Sequence, residues 1–273
     1  MNALARAVVR HGIETLRWYT TSDRALARRY DFRFAWCRGL GCFSHSTRFP
    51  LGGFGNGARG FGVLAEASEE VLDAVARHYA SLGLPALITL ADGLVGGRAV
   101  QVLERNGFQP AVEHVIVTSL FRPKWPPRAR RIRGLTLERV GTDDVAAFVE
   151  LARDAFADTG VVREYFRRAQ IALMRAHPTG AIGVRARIDG EPAGAGMLYR
   201  FGGVASLGGA AVPPRYRGRG IHGALIAARI ALGMELGQRV FSCGYDEENA
   251  TSANNQHDAG FRPYYRSRSW ARA

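Results

Sequence analysis

A repeated order of motifs divides this chain of 273 residues into two similar halves. In the first half, Leu82-Gly83 precedes an apolar, strand-like run and then the segment Gly107-Phe108-Gln109-Pro110. In the second half, Leu236-Gly237 precedes a similar run and then Gly260-Phe261-Arg262-Pro263. Both pairs of motifs are separated by about 150 residues, which indicates duplication of one α/β unit. Coincidence is the alternative, because Leu-Gly is a common ending for a helix.

Hydrophobic periodicity predicts a mixed α/β structure for the second half. Asp189-Gly190 separates two alternating runs and is a strong two-residue hairpin signal. Thr142 is the predicted N-cap of the first helix, and two aspartates after it suit the positive end of the helix dipole. The predicted elements are strand 135–139, helices 143–156 and 162–175, strands 181–188, 192–199 and 204–212, helix 220–236, strand 239–245, a short helix and strand 261–269.

The first half has a weaker pattern, and a basic, proline-rich segment at 122–133 is typical of a linker. The sequence therefore predicts an α/β (α+β) fold with domains at 1–121 and 134–273. Each domain is expected to have a mixed, mostly antiparallel twisted sheet flanked by helices. The predicted elements of the first half are helix 14–29, strands 32–36, 41–45 and 58–63, helix 69–82 with Ser68 as its N-cap, and a strand at 86–90.

The net charge of +13 comes almost entirely from arginine, because Lys124 is the only lysine. Such an excess suits either nucleic acid or a polyanionic small ligand. The arginines are scattered along the chain, and the dense cluster at 128–133 follows prolines in the predicted linker. We therefore favour a small anionic ligand and expect no nucleic-acid partner.

The remaining composition excludes several classes of protein. Three cysteines without a Cys-x-x-Cys pair argue against a disulfide framework and suit a reducing compartment. The seven histidines do not cluster at metal-ligand spacing, so we expect no metal site. No uncharged run is long enough to cross a membrane, and the N-terminus has no apolar run of signal-peptide length. We expect a cytoplasmic protein with no membrane partner.

The segment 215–223, Arg-Tyr-Arg-Gly-Arg-Gly-Ile-His-Gly, lies between a predicted strand and a predicted helix. Its glycines at 218 and 220 let backbone N–H groups face a ligand, and its arginines add positive charge. The first turn of the helix adds unpaired N–H donors and the positive end of the dipole. This order predicts a diphosphate site. No Gly-Lys-Ser/Thr follows, and the spacing also differs from the dinucleotide fingerprint.

The stretch 210–225 resembles the acetyl-CoA-binding motif of the GNAT N-acetyltransferase superfamily, Arg/Gln-x-x-Gly-x-Gly/Ala. Arg217, Gly220 and His222 occupy the fixed positions of this motif. His222 departs from the usual Gly or Ala, although Gly223 follows at once. A register shifted by two residues toward the N-terminus is the alternative. The predicted order of strands and helices fits the superfamily across about residues 135–270.

The resemblance implies that acetyl-CoA is the co-substrate and that the acceptor is a primary amine of a small molecule. It implies direct attack of the amine on the thioester in a ternary complex. A catalytically silent acyl-CoA-binding or sensor protein is the alternative, because Gln256 stands where the family usually has tyrosine. The implied cofactor-binding residues are Ala210, Ala211, Val212, Arg217, Gly218, Arg219, Gly220, Ile221, His222, Gly223, Asn249 and Ser252.

The tyrosine that Gln256 replaces often protonates the departing thiolate in this family, so the identities of the acid and the base are open. General acid–base catalysis needs side chains that can hold or release a proton beside the reacting groups. Cys243 is expected to be a small buried residue rather than a nucleophile. The candidate catalytic residues are Tyr245, His257, Tyr264 and Asp246, with Tyr265, Glu247 and His222 as further candidates.

The first half resembles a degenerate GNAT domain of the tandem type. Gly53-Phe54-Gly55-Asn56-Gly57, followed by Gly60-Phe61-Gly62, resembles a strand seen in tandem-GNAT proteins. The helix corresponding to 220–236 opens with Glu66, Glu69 and Glu70, whose charges satisfy the helix dipole and repel a diphosphate. We therefore predict one acetyl-CoA site, in the second half. Two similar halves imitate a dimer, so either a monomer or a homodimer is compatible with the sequence.

Overall fold

The computed structural model describes residues 2–37, 39, 41–49, 55–111, 115–128 and 130–272. By their contacts, these residues form two compact units. Unit 1 comprises the described residues up to Thr118 together with those from Tyr264 onward, and unit 2 comprises Ser119–Pro263. Gly53 and Phe54 of the predicted glycine-rich strand lie outside the described residues.

Helices and strands alternate along the chain, as predicted for an α/β fold. They are α1 (Ala3–Thr21), α2 (Arg24–Arg29), β1 (Phe32–Cys37), β2 (Gly41–Ser46), β3 (Gly57–Arg59), α3 (Glu69–Ala80), β4 (Ala86–Asp92), α4 (Gly97–Arg105), β5 (Gln109–Pro110), β6 (Ile116–Phe121), β7 (Leu135–Arg139), α5 (Val145–Phe156), α6 (Gly160–Ala176), β8 (Ala181–Ile188), β9 (Glu191–Phe201), β10 (Val204–Ala211), α7 (Ile221–Glu235), β11 (Val240–Asp246), α8 (Ala250–Asp258) and β12 (Arg262–Arg272). The repeated order is α3-β4-α4 in unit 1 and α7-β11-α8 in unit 2.

The sheet of unit 1 follows the order β1-β2-β3-β4-β12. Its neighbouring strands are antiparallel except β3 and β4, which are parallel. β12 pairs with β4 from Arg266 opposite Asp92 to Arg272 opposite Ala86. These contacts place the described residues after Pro263 in unit 1, whereas the sequence boundaries assigned them to the second domain. The division of the chain into functional domains stays a prediction.

The sheet of unit 2 follows the order β11-β10-β9-β8-β7, with β10 and β11 parallel and the other neighbours antiparallel. A side chain at Gly183 would meet Phe148 of α5 and Met174 of α6. A side chain at Gly194, on the opposite face, would meet Ile221 of α7. The helices therefore cover both faces of the sheet, and glycines let α7 approach β9 closely.

The two units end their short helices in the same way before the Gly-Phe segments. The amides of Phe108 and Phe261 each donate a hydrogen bond of 3.0 Å to a carbonyl in the last turn of the preceding helix. Gly107 and Gly260 before them adopt φ angles of 75° and 99°, which favour glycine. Both phenylalanines are buried in the core of their unit. The repeated sequence motif thus has a repeated local structure.

The first helical segment begins earlier than predicted and is interrupted. The sequence predicted one helix over 14–29, whereas α1 begins at Ala3 and α2 begins at Arg24. Asp23 separates the two helices because its carboxylate accepts hydrogen bonds of 2.9 Å from the amides of Ala25 and Leu26. The prediction was wrong because the apolar pattern continues across Asp23, and the capping role of this residue was overlooked.

The third strand is shorter than predicted. It was expected to reach Val63 but ends at Arg59. Gly60 follows with a φ of 93°, and its carbonyl accepts hydrogen bonds from the amides of Val63, Leu64 and Ala65. A turn in which three amides donate to the carbonyl of Gly60 therefore replaces the end of the predicted strand.

The start of α5 also differs from the prediction. The helix begins at Val145 with Asp144 at its N-cap position, so Thr142 is not the cap. The carboxylate of Asp144 instead pairs with the guanidinium of Arg185 at 2.8 Å. The turn at Asp189-Gly190 is confirmed, and the φ angles of these residues are 49° and 87°, as a tight hairpin requires.

No helix within the described residues is both long enough and apolar enough to cross a membrane.

Two histidines of unit 1 form a contact that responds to pH. His45 Nδ1 on β2 lies 3.3 Å from His78 Nε2 on α3. Burial lowers the pKa of His45, and His78 and Arg33 lower it further against the opposing effect of Asp31. Burial also lowers the pKa of His78. The folded unit therefore favours the neutral form of both rings.

We expect the stability of unit 1 to fall as the pH drops below about 6.5, because the unfolded chain then takes up protons that the folded pair resists. Urea unfolding between pH 7.5 and 5 measures this effect, and carboxylates, which titrate below about 4.5, contribute little there. His78→Gln keeps a hydrogen-bonding group and removes one titrating ring, so its midpoint should depend less on pH. Equal pH dependence of both proteins would contradict the assignment.

Candidate functional site

The pairing between β10 and β11 ends before the chain reaches the loop 215–223, which leads into α7. Their parallel pairing extends from Val204 opposite Val240 to Leu207 opposite Cys243. Beyond this point β10 continues to Ala211 and β11 continues to Asp246, and no pairing joins them among these residues. The edge of β10 that faces β11 is therefore open to an extended ligand, which could add its own hydrogen bonds there.

A bulge in β10 lies next to this opening. Gly208 pairs with Met197 of β9, and Ala211 pairs with Ala195, so β10 holds one more residue than β9 between these pairs. Gly209 inside the bulge has a φ of 53°. The bulge redirects the backbone of β10 at the point where its pairing with β11 ends.

The loop between β10 and α7 turns through two glycines. A short 3₁₀ turn at Pro214–Tyr216 is followed by Gly218 and Gly220, with φ angles of 75° and 81°. Gly220 is the N-cap of α7, and the following residue is the first of the helix. Both possible registers of the motif include Gly220, so the choice between them stays a prediction.

The backbone N–H groups from Gly218 to Gly223 are free to bind a ligand. Among the described residues, no hydrogen bond is donated by these amides. No side chain caps α7, and its first turn contains no acidic residue. A helix start of this kind presents unpaired donors and the positive end of a dipole, which together attract an anion.

The corresponding helix of unit 1 is already capped. Ser68 Oγ accepts a hydrogen bond from the amide of Val71, and Glu69 and Glu70 occupy the first turn of α3. The predicted cap and acidic start of this helix are thus observed. Because side chains of this chain fill that position, α3 does not offer the anion site that α7 offers.

Arg217 ties the loop to two neighbouring segments. Its Nε donates to the carbonyl of Val212 at 3.1 Å, and its Nη2 donates to the carbonyl of Ala155 at 3.3 Å. Ala155 lies in the last turn of α5. Two directed bonds from one planar guanidinium therefore hold the loop in place, which a lysine cannot reproduce.

Tyr216 holds the other two arginines of the loop. The guanidinium carbons of Arg215 and Arg219 lie 5.0 Å and 5.6 Å from the centre of its ring. Stacking of this kind orders both cations near the start of α7. The positive charge of the loop is therefore concentrated beside the free amides.

His222 lies in the first turn of α7 and stays neutral. Burial, followed by the charge of Arg229, lowers its pKa to about 4. A ring with this pKa is a poor base for an amine, so the structure does not support His222 as the general base.

Arg229 is buried between α7 and the sheet. It is 1% exposed, and its bonds go to the carbonyls of Leu225, Met197 and Gly208 at 2.9, 3.1 and 3.2 Å. No carboxylate among the described residues pairs with it. Burial lowers the pKa of this guanidinium to about 10, so it remains charged at neutral pH.

Cys243 lies on β11 opposite Leu207, at the last position where β11 pairs with β10. Its Sγ lies 3.4 Å from the carbonyl of Leu207, and burial raises its pKa to about 11. The thiol is therefore protonated at neutral pH and unreactive, which agrees with the expected small buried residue.

Gln256, at the position where the family usually has tyrosine, is 2% exposed. Its Nε2 donates to the carbonyl of Gly244 and to Ser252 Oγ, both at 3.3 Å, whereas its Oε1 has no partner among the described residues. A carboxamide does not ionise near neutral pH, so this side chain cannot supply an acid.

Asn249 and Ser252, two of the predicted cofactor-binding residues, shape the start of α8. Asn249 is the N-cap, and its Oδ1 accepts a hydrogen bond of 3.0 Å from the amide of Ser252. Both side chains therefore have structural partners, and their contact with a ligand stays a prediction.

The structure brings together two of the four candidate catalytic residues. Tyr245 and Asp246 lie on β11 beyond its pairing with β10. His257 is exposed on α8, where Gln256 rather than His257 faces β11. Tyr264 belongs to unit 1 by its contacts. The roles of all four stay predictions.

A cavity of about 360 Å³ in unit 2 lies away from these residues. It is lined by the ends of β7 and α6 and by the first residues of β8, at the end of the sheet where β10 begins. Among the described residues, no group of three or more His, Cys, Asp or Glu side chains is arranged to hold a metal ion.

Residues 145–261 match the model of the Acetyltransferase (GNAT) family. This segment lies within unit 2 and includes the open strand edge, the loop and the uncapped helix start. The matched segment of unit 2 is therefore similar to the Acetyltransferase (GNAT) family. No curated protein matches the chain.

Solved structures share the fold. A GCN5-related N-acetyltransferase from Kribbella flavida is 16% identical with a TM-score of 0.56, and 74% of each chain is covered. One from Sphaerobacter thermophilus is 17% identical with a TM-score of 0.57, over 88% of this chain and 75% of that chain. A tandem GNAT protein from the clavulanic acid biosynthesis pathway is 19% identical with a TM-score of 0.57, over 75% and 67%. The predicted fold class is confirmed.

Two residues of the site were missed in the sequence. Tyr216 was treated only as part of the motif, although an aromatic residue between two arginines is a signal for stacking. Arg229 was missed altogether, although it is the one charged residue between Ile221 and Met234 in an otherwise apolar helix. A lone arginine in such a pattern indicates a buried cation.

We expect Arg217→Lys to weaken binding of CoA by about tenfold, because the charge is kept while two directed hydrogen bonds are lost. Arg215→Lys, which also keeps its charge and can still lie over Tyr216, should change the affinity by less than about threefold. Isothermal titration calorimetry measures both. Equal losses in the two variants would show that Arg217 does not act by holding the loop.

Proposed function

We propose that the chain is an acyl-CoA-dependent N-acetyltransferase that moves an acetyl group from acetyl-CoA to a primary amine of a small molecule. The observation that carries the proposal is the row of unpaired amides from Gly218 to Gly223 at an uncapped helix start. These donors bind the diphosphate of CoA, and the stacked guanidiniums of Arg215 and Arg219 add charge beside it.

The pantetheine arm lies along the open edge of β10. The backbone of Ala210, Ala211 and Val212 pairs with its amide groups, because no strand among the described residues pairs with this edge past Leu207. The thioester then lies near the bulge, where backbone N–H groups can polarise its carbonyl. The amine attacks the thioester directly while both substrates are bound.

Proton transfer is assigned to the end of β11. We propose that Asp246 accepts the proton of the amine and that Tyr245 donates toward the sulfur, because both lie beyond the last position at which β11 pairs with β10. Asp246 Oδ1 also accepts a hydrogen bond of 3.1 Å from the amide of Glu248, which holds the turn into α8. His257 and Tyr264 stay predictions.

The proposed setting of the reaction follows from the sequence. The acceptor is a small amine, the protein acts in the cytoplasm without a nucleic-acid or membrane partner, and acetyl-CoA is the only cofactor. Unit 1 is proposed to carry no second acetyl-CoA site, because Ser68, Glu69 and Glu70 fill the start of α3. The protein is a monomer or a homodimer.

One observation favours a second candidate, a silent acyl-CoA-binding or sensor protein. Gln256 cannot donate a proton and is tied to Gly244 and Ser252. Release of thiol from acetyl-CoA in the presence of a panel of small amines separates the two candidates, because a sensor binds CoA without releasing thiol.

Gly223→Asp tests the diphosphate site. Apart from its own turn of helix, no atom of the described residues lies within 4 Å of the position that its Cβ would take, so a side chain fits. The aspartate places a carboxylate at the positive end of α7, as Glu69 does for α3. We expect affinity for CoA to fall by more than about tenfold and thiol release to fall with it, while thermal stability is kept. Calorimetry, a thiol-reactive dye and thermal unfolding measure the three quantities.

Gly223→Asn is the matched control, because it adds a side chain of the same size without charge. Its affinity for CoA should stay within about threefold of the original. Equal losses in both variants would indicate that bulk rather than charge disturbs the site. A protein that binds no CoA before any substitution would overturn the proposed function.

A further inference from the structure

Arg229 carries a charge for which the described part of the chain supplies no counter-ion. It is 1% exposed, and its partners are three backbone carbonyls. A buried charge normally has an opposite charge beside it, because the interior solvates ions poorly. Among the described residues no carboxylate fills this role. The interior of unit 2 therefore contains an uncompensated positive charge.

The guanidinium also has unused donors. The bonds to Leu225, Met197 and Gly208 use Nε and Nη1, and Nη2 has no hydrogen-bond partner among the described residues. A guanidinium offers five N–H donors, so part of its capacity is free. This buried group can interact with a further acceptor or anion.

The charge lies at the point where β10 and β11 separate. Gly208, whose carbonyl accepts from Nη1, is the first residue of β10 after the last pair, Leu207 opposite Cys243. Gly196 of β9 lies against the guanidinium, and a side chain there would approach its Cζ to 2.9 Å. The glycine thus leaves room for the arginine beside β9 and β10, level with the position where the pairing of β10 with β11 ends.

The ionisable groups around Arg229 do not neutralise it. His222 of α7, with a pKa of about 4, is neutral, and Cys243 of β11, with a pKa of about 11, is a neutral thiol. Tyr199 of β9 is the remaining neighbour, and β10 contributes only backbone. The positive charge therefore acts on whatever occupies the opening.

We propose that Arg229 stabilises the thiolate of CoA as it leaves, so that the C–S bond breaks before the sulfur is protonated. The inference rests on the proposed function. The amine nitrogen forms the C–N bond at the carbonyl carbon, the sulfur keeps the electron pair of the broken C–S bond, and the surplus proton of the nitrogen passes to Asp246 or water. Tyr245 or solvent protonates the thiolate afterwards. Gln256 then needs to supply no acid.

The test compares CoA with desulfo-CoA, which lacks the sulfur, between pH 5.5 and 9.5. A free thiol titrates near pH 8.5. If Arg229 favours the bound thiolate, CoA gains affinity over desulfo-CoA as the pH rises through the pKa of the bound thiol. We expect the ratio of the two dissociation constants, desulfo-CoA over CoA, to rise by more than about tenfold across this range. Titrating groups of the protein affect both ligands and cancel in the ratio.

Arg229→Met should make this ratio independent of pH, and Arg229→Lys, which keeps the charge, should restore part of the dependence. Arg239→Met is the matched control, because Arg239 is exposed and bonds only to the carbonyls of Met234 and Gln238. Its ratio should follow that of the unchanged protein. If Arg229→Met does not fold, the unchanged protein and Arg229→Lys still decide the question.

The outcomes separate the inference from the proposed function. Binding of both ligands with a ratio that does not change with pH overturns the role of Arg229 and leaves the CoA site intact. The role of Arg229 is also overturned if the ratio changes with pH to the same extent in Arg229→Met and in the unchanged protein. Arg229 would then only hold β9 and β10 together. Binding of neither ligand overturns the proposed function together with the inference.

Discussion

The row of free amides at the start of α7 is the constraint on which the rest of unit 2 depends. A helix start normally satisfies its first N–H groups with a capping side chain or an acidic residue. From Gly218 to Gly223 this chain supplies neither, and glycines with positive φ at 218 and 220 keep the donors uncovered. Arg217 fixes the loop through Val212 and Ala155, so the donors are ordered before a ligand arrives. Binding then costs little reorganisation of the loop.

The two units share an arrangement of strands and helices but differ in the end of one strand and in the start of the helix that follows it. Each has a parallel pair of strands, a helix that follows one of them, and a Gly-Phe segment after a short helix. In unit 1 the strand before the helix ends early at Gly60, and Ser68 and Glu69 close the start of α3. In unit 2 the strand continues through a bulge, and the start of α7 stays open. The two units thus share an order of elements, while the corresponding helix start is capped by a side chain in unit 1 and has no side-chain cap in unit 2.

Much of this structure could be predicted from local signals in the sequence. Ser68 caps α3 by accepting a hydrogen bond from the amide of Val71, three residues away, whereas Gly220 and the Asp189-Gly190 turn act through their own backbone. A short stretch of sequence is therefore enough to predict these features. Asp23 was missed although its signal is local, because the apolar pattern continues on both sides of it. Arg229 and Tyr264 could not be placed in the same way. The burial of Arg229 depends on carbonyls of β9 and β10, and the unit to which Tyr264 belongs depends on the pairing of β12 with β4.

Hydrogen exchange at single amides, with and without CoA, tests the central claim most directly. The amides from Gly218 to Gly223 lack acceptors, so they should exchange fast in the free protein and slow strongly when CoA is bound. The amides at the start of α3, where Glu69 and Glu70 occupy the first turn, should not change. Protection that appears at α3, or that is absent from 218–223 under saturating CoA, would contradict the account.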